Sequence, residues 1–291
     1  MATTEMPNWF ITQFNKRAQA IYQAKGNRLK STVASADRIE GEKAKWRLIG
    51  KGEAQEFVRG QKARPANTGR SVVEAPLKTF QFFDEVHDFD SDRAADPNGA
   101  QEREKIFEQG GMALGRKADR EIMGVFNGSA PTAGPRFIDL GANAFNAAYG
   151  LVMCQRLQAA DIPWEGQVYC ALPSLLWNQL IASKQVNSAD HVGQDLPFVK
   201  TTDTRFWNGV NWFLLSDGYF PTPAANTMDV FMWHKEAVGH SPHTELKTYW
   251  QFDIDYTCWK VNMLSKAANA CLQAEGLVRL RAPTNTSITL A

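Results

Sequence analysis

Apolar residues recur at helical spacing over residues 8–24, where Trp9, Phe10, Phe14, Ala18, Ile21 and Tyr22 share one face before Gly26 offers a stop. The pattern predicts an amphipathic N-terminal helix or arm. Further on, KAKWRLIGKGEAQEFVRG alternates Ala44, Trp46 and Leu48 with Lys45 and Arg47, then reverses at GKG. A β-hairpin or two extended strands follow from it, with Trp46 on one face and positive charge on the other. GQKARPANTGR has the Gly, Pro and Asn content of a projecting loop, and SVVEAPLKTFQFFDEVHDFD reads as extended, interrupted at Pro76. Together residues 40–80 predict a protruding loop of strands. Such an element holds too little local core to fold alone and needs a surface to lie on.

Asp96 and Pro97 supply an N-cap and a first-turn proline, after which Phe107, Leu114, Ala118, Ile122 and Val125 hold one face until Asn127 and Gly128. A helix over about 97–127 is roughly 45 Å long at 1.5 Å per residue, the length of a strut. It contains the adjacent glycines Gly110 and Gly111. Each interior Gly costs roughly 1 kcal/mol against Ala, so the pair predicts a bend or a close approach by another backbone, and is a candidate hinge. A second helical pattern covers about 140–157. The extended run GQVYCALP and a third helix, SLLWNQLIASKQV, follow it, giving α/β texture. GVNWFLLSDGYFP and TMDVFMWHKEAVG read as strands, YWQFDIDYTCWKVNMLSKAANACLQAEG mixes extended and helical periodicity, and LVRLRAP reads as a closing strand. There is no internal repeat.

At 291 residues with 44% hydrophobic content the chain fills one large domain or two modest ones. Lys and Arg number 32 against 31 Asp and Glu, for a net charge of +1, so the overall basicity of a dedicated nucleic-acid binder is absent and any DNA contact is local and weak. The first residues lack the apolar core of a signal peptide, and no later run approaches the ~18–20 apolar residues that span a bilayer. A soluble chain made in the cytoplasm is expected. Cys154, Cys170, Cys258 and Cys271 form no CxxC pair, which predicts buried reduced thiols rather than disulfides or zinc ligands. Nine Trp and seventeen Phe serve either a core or a large obligate interface.

Candidate chemistry is sparse. Asp88, Asp90 and Asp92 have the alternate spacing that opens a calcium loop, but Arg93 stands where the motif needs Gly and Gly99 where it needs a bidentate Glu. They read as a solvated acidic strand end. His240 and His243 lack a third ligand nearby, and Pro242 opposes helical presentation, so they read as loop histidines. GKGEA lacks phosphate-loop spacing, and GxSxG, HExxH and GxGxxG do not occur. No catalytic, cofactor-binding or metal residue is assigned, and no cofactor is expected. On the long helix Arg116, Lys117, Asp119, Arg120 and Glu121 mix signs, which suits either a solvated face or pairing between subunits.

In order, an arm, a strand loop, a strut helix, an α/β segment and closing strands make the chain resemble the major capsid proteins of tailed double-stranded DNA bacteriophages. The resemblance covers almost the whole chain. It rests on ALGRKADREIMGVFNG, VYCALPSLLWNQLIASKQVNSAD, NGVNWFLLSDGYFP and HKEAVGHSPHTEL. It implies an α+β chain of the Hong Kong 97-type fold. The parts would be an N-terminal arm over 1–28, an extended loop over 29–80, a peripheral domain from 81–139 and 235–291 that holds the spine helix, and an axial domain over 140–234. It further implies homo-oligomeric pentamers and hexamers, assembled in the host cytoplasm into an icosahedral virion shell. Expected partners are a scaffold, a portal and possible decoration proteins, with weak nonspecific contact to packaged DNA and none to a membrane. Candidate intersubunit contacts are Trp9 and Phe14 in the arm; Lys45, Trp46, Arg47, Phe57, Arg59 and Arg64 in the loop; and Arg116, Asp119 and Arg120 on the helix. Crosslinking lysines occur in some relatives, but Lys51 and Lys62 match no motif and receive no such role. Near-neutral charge suits a container wall, since each neutralised phosphate adds affinity for DNA. The rival readings are an encapsulin-like nanocompartment, a minor virion protein and a soluble α/β enzyme using Asp88, Asp90 or His240 with a metal.

Overall fold

The computed structural model describes residues 25–36, 38–54, 56, 59, 62, 65, 68–87, 100–183 and 204–288. In chain order the elements are β1 (Arg38–Glu40), β2 (Lys43–Ile49), β3 (Arg70–Pro76), β4 (Lys78–His87), α1 (Ala100–Ser129), β5 (Phe137–Asp139), α2 (Ala147–Gln158), β6 (Val168–Leu172), α3 (Ser174–Ala182), β7 (Thr204–Trp207), β8 (Val210–Leu214), β9 (Thr227–His234), β10 (Val238–Asp253), β11 (Cys258–Cys271) and β12 (Leu277–Pro283). Two compact units result. Among the described residues, the larger draws on 28–77, 120–183, 204–241 and 268–288, and the smaller on 25–27, 78–87, 100–119 and 242–267. The predicted N-terminal helix and the Asp96–Pro97 cap lie outside the described residues.

The larger unit is built on a six-stranded sheet of order β5-β12-β9-β6-β8-β7, in which β5 runs parallel to β12 and β6 parallel to β8. A strand covered on both faces reads as a continuous apolar run rather than an alternating one. In β9 every residue from Met228 to His234 is buried. Trp212, Trp233, Phe126 and Phe231 are fully buried, with the Phe126 and Trp233 rings 4.5 Å apart. The first helix of this region begins at Ala147 rather than near 140, because the Asn146 side chain accepts the Tyr149 N–H at 3.2 Å and fixes the start there. After Pro173, the Ser174 N–H and hydroxyl both donate to the Asp217 carboxylate at 2.7 Å, which sets the start of α3.

The same unit carries a three-stranded antiparallel sheet, β1-β2-β3. Its tight turn lies at Gly41, between β1 and β2, where φ is +59°. GKG does not reverse the chain directly into a partner strand as the sequence reading expects; the return strand begins at Arg70. Among the described residues Ala44, Trp46, Ala75 and Ala268 form a small buried cluster at the root of this sheet, with Ile39 and Leu77 packed against it.

In the smaller unit α1 packs on a sheet of order β10-β11-β4. Ile106, Gly110 and Leu114 recur every fourth residue and turn inward, and Ile106 and Leu114 meet Val86, Val261 and Met263. Phe107, predicted for the core face, is instead 36% exposed, because one 100° step puts Ile106 on the sheet in its place. The mixed periodicity over residues 249–276 resolves as the end of β10, a turn at 254–257 and β11, with only a short 3-10 turn at Ala274–Gly276. Its alanines favour a helix by propensity, but β11 runs beside β4 from Cys258 to Ala267, and cross-strand pairing prevails. The two histidines lie in β10 rather than in a loop. Three residues apart on a strand they fall on opposite faces: His240 is buried with its ring 2.6 Å from the Asn269 side-chain oxygen, and His243 is exposed.

Candidate assembly surfaces

The loop sheet is anchored at one end and bare at the other. Trp46 is only 3% exposed, and its indole lies against Gly239, where an added Cβ would stand 2.5 Å from the ring. Ala44, Ala75 and Ala268 complete a socket of small residues. Within the unit the ring is therefore spent on anchoring. Its indole N–H has no hydrogen-bond partner among the described residues. On the other face, Lys43 and Lys45 approach the Glu74 carboxylate at 3.2 and 3.4 Å, and their hydrogen bonds hold that carboxyl below the usual carboxylate range. Exposed pairs of this kind stabilise little. Beyond them Arg47 is exposed, as are Ile49 at 74% and Val72 at 56%. Arg59 is exposed in a turn of the connecting loop. Phe57, Arg64, Trp9 and Phe14 lie outside the described residues, as do Asp88, Asp90 and Asp92.

The charged cluster of α1 is not a uniform solvated face. Asp119 is fully buried, whereas Arg120 is exposed and places its guanidinium 5.9 Å from the Tyr219 ring centroid. Lys117 lies 5.3 Å from the Phe80 ring. Arg116 is half-buried, and its backbone nitrogen meets Gly26, which has φ +74°. Gly115 faces Asn27 and Lys25 from the helix side, so a backbone crosses a backbone there, as a Cβ would forbid. Gly110 packs against Met263 and Phe82, while a Cβ added at Gly111 would meet nothing within 4 Å among the described residues. The helix runs unbroken through both.

One constellation escaped the sequence reading. Asp229 of β9 is fully buried, and Arg279 and Arg281 of β12 converge on its carboxylate: Arg279 at 3.1 Å, Arg281 Nε at 2.8 Å. Arg279 also donates to the carbonyls of Asn127 and Ala130, the former very closely, so a strand supplies the cap for the end of α1. Burial pushes the Arg279 guanidinium below its ordinary value, and the bond to Asp229 raises that of Arg281. The signal in the sequence was one acid and two arginines at i, i+2 inside otherwise apolar strands.

All four cysteines are free thiols. Burial pushes Cys154 up to about 11 and also pushes Cys170 well above the ordinary thiol value. Among the described residues no group of three His, Cys, Asp or Glu side chains is placed to hold a metal ion, and no helix is long and apolar enough to cross a membrane.

A family model described as phage capsid protein matches residues 6–283. A search among curated proteins finds no match. Among solved structures the fold is similar to the capsid of cyanophage P-SCSP1u, with TM-score 0.71, 14% identity and coverage of 92% of this chain and 91% of that one. The capsid of cyanophage Pam1 gives TM-score 0.71 at 13% identity, covering 99% of each chain. Mycobacterium phage Che8 gives 0.65 at 13%, covering 96% and 97%. The chain belongs to the phage capsid protein family and has the Hong Kong 97-type capsid fold.

Proposed function

We propose that this protein is the major coat subunit of a phage head, assembling into pentamers and hexamers that close as an icosahedral shell around the genome. The observation that carries the reading is the loop sheet. Its root is held by one tryptophan socket, while Ile49 and Val72 stand in solvent on a strand pair with no core beneath that face. A monomer gains nothing from such an element. In an obligate assembly, where interfaces bury ~2,000 Å² or more, it becomes half of a shared core.

The domain roles follow from the same reading: an arm to about residue 28, an extended loop to about 80, an axial domain over about 140–234 and a peripheral domain from the remainder. The function is structural and calls on no catalytic group. Scaffold, portal and decoration proteins are the partners such a subunit meets during assembly in the host cytoplasm, and DNA touches the wall weakly.

Size-exclusion chromatography and negative-stain electron microscopy of the purified chain, with and without its scaffold, test the function. Rings of five and six, sheets or closed shells are expected. A monomer under every condition refutes it.

A further inference from the structure

The ion network of the larger unit is not the most stable way to join two strands. Apolar side chains of similar volume in place of such a network are often neutral or stabilising. Stability alone therefore gives no reason for Asp229 to stand in β9, where Val230 to Trp233 are apolar and fully buried. The order in which the chain is made supplies one. Among the described residues β6 meets β9 only from Met232 to His234, which leaves β12 as the strand partner of Thr227 to Phe231. Arg281, opposite Asp229, follows it by fifty-two residues. At about 5–20 residues per second β9 waits roughly three to ten seconds for that partner, whereas hydrophobic collapse takes about 10–100 μs. For that interval Thr227–Phe231 is an open edge carrying Val230 and Phe231.

Two wrong closures are open to this edge. In the finished sheet β12 lies between β9 and β5, so without it β5 can pair with β9 directly. The same strand of a second copy can also add to it, which is how bare apolar edges aggregate. Either closure buries the Asp229 carboxylate without a counter-charge, and an inward-pointing charge guards an edge strand for that reason. The correct closure brings the cations with it. Arg279 and Arg281 stand two apart on β12 and share the face of Asp229, where they reach its carboxylate at 3.1 and 2.8 Å. Arg279 then caps the end of α1 through the carbonyls of Asn127 and Ala130.

We propose that Asp229 is a gatekeeper that holds the larger unit open during synthesis until β12 delivers Arg279 and Arg281. The carboxylate makes every early closure of β9 unfavourable, and the two guanidiniums release it. A chain interrupted before β12 stays open. The inference concerns how the subunit forms, and it stands or falls independently of what the subunit builds.

The full chain held on the ribosome by an arrest sequence tests it. A short linker after Ala291 keeps β12 inside the exit tunnel, and a long one lets it out. Limited proteolysis reads whether the larger unit is open or closed. With the short linker the parent should be cut readily, and with the long linker it should resist. Asp229→Leu with the short linker should be cut about tenfold more slowly than the parent, since the wrong closure no longer buries a charge. Asp229→Glu keeps the charge and should behave as the parent does there. Arg279 is inside the tunnel in all three short-linker chains, so loss of the α1 cap or of the finished fold does not enter the comparison. Resistance of Asp229→Leu in single ribosomes identifies pairing with β5, and resistance that appears only on polysomes identifies pairing with a second copy; both support the gate. A parent that already resists with the short linker overturns the proposal, and so does Asp229→Leu cut as fast as the parent in both settings.

Discussion

The two sheets of the larger unit are built on opposite principles. The six-stranded sheet buries β9 from Met228 onward and spends Trp212, Phe231 and Trp233 of its own strands on the interior. The three-stranded loop sheet buries one tryptophan and two alanines of its own, against Ala268 of β11, and leaves its far end to solvent. Stability in the first is internal to the chain, whereas the second holds only its root in place. Under the proposed function, the first sheet holds the subunit together and the second offers exposed surface to its neighbours.

The largest effect is expected where the self-sufficient sheet is most committed. Asp229→Ala leaves Arg279 buried beside the end of α1 without its counter-charge, and removing one partner of a buried ion pair costs about 3–5 kcal/mol. Thermal melting of the subunit should fall by many degrees, and soluble yield should drop. If Asp229→Ala melts like the parent, the network is incidental and the contrast between the sheets loses its strongest support.

Next comes the anchor of the other sheet. Trp46→Ala empties the socket over Gly239, a change in the range of about 3 kcal/mol for a buried aromatic, but the loss is local. Hydrogen exchange of β2 and β3 should accelerate while β6, β9 and β12 keep their protection. Equal acceleration everywhere would mean that the loop sheet is part of the main core after all.

How much of this was legible in the sequence differs between the two sheets for a physical reason. Trp46 alternating with Lys45 and Arg47, and the long helical pattern ending near Asn127, are period-2 and period-3.6 signals that local sequence carries in full. The Asp229, Arg279 and Arg281 network joins β9 to β12 across fifty residues, and only strand register brings it together. Gly239 at the end of a strand pattern and Ala268 in a mixed one gave no sign of their role, which is to make room for one indole and exists only in three dimensions. The glycine pair gave a clear signal with two meanings, and packing separated them at Gly110 and Gly111.

A smaller effect concerns pH. His234, at the buried end of β9, accepts the Glu236 N–H through Nδ1 at 3.3 Å, which needs a neutral ring. Burial lowers its value below the usual histidine range, although Glu236 and Glu165 pull the other way. The unfolded chain then binds a proton more readily than the folded one, so this contribution is present above the unfolded value of about 6.5 and is lost as pH falls through the folded value. Denaturant midpoints of the subunit should decline on acidification from pH 7.5, and His234→Gln should flatten the slope. An unchanged slope in that variant would remove His234 as a cause.

The smallest effect on the subunit is the one that sharpens the comparison most. Ile49→Ser with Val72→Ser changes two exposed positions that have no core beneath them, and such surface substitutions shift stability by only about 0.5 kcal/mol. The melting temperature should hardly move. In a self-contained protein that would be the whole story, but here the same two side chains are the apolar half of the loop face, and their loss should lower the yield of rings and shells. A double variant that melts and assembles like the parent would show that the bare end of the loop sheet is idle. A double variant that melts like the parent and fails to assemble would place the missing half of its core on another copy.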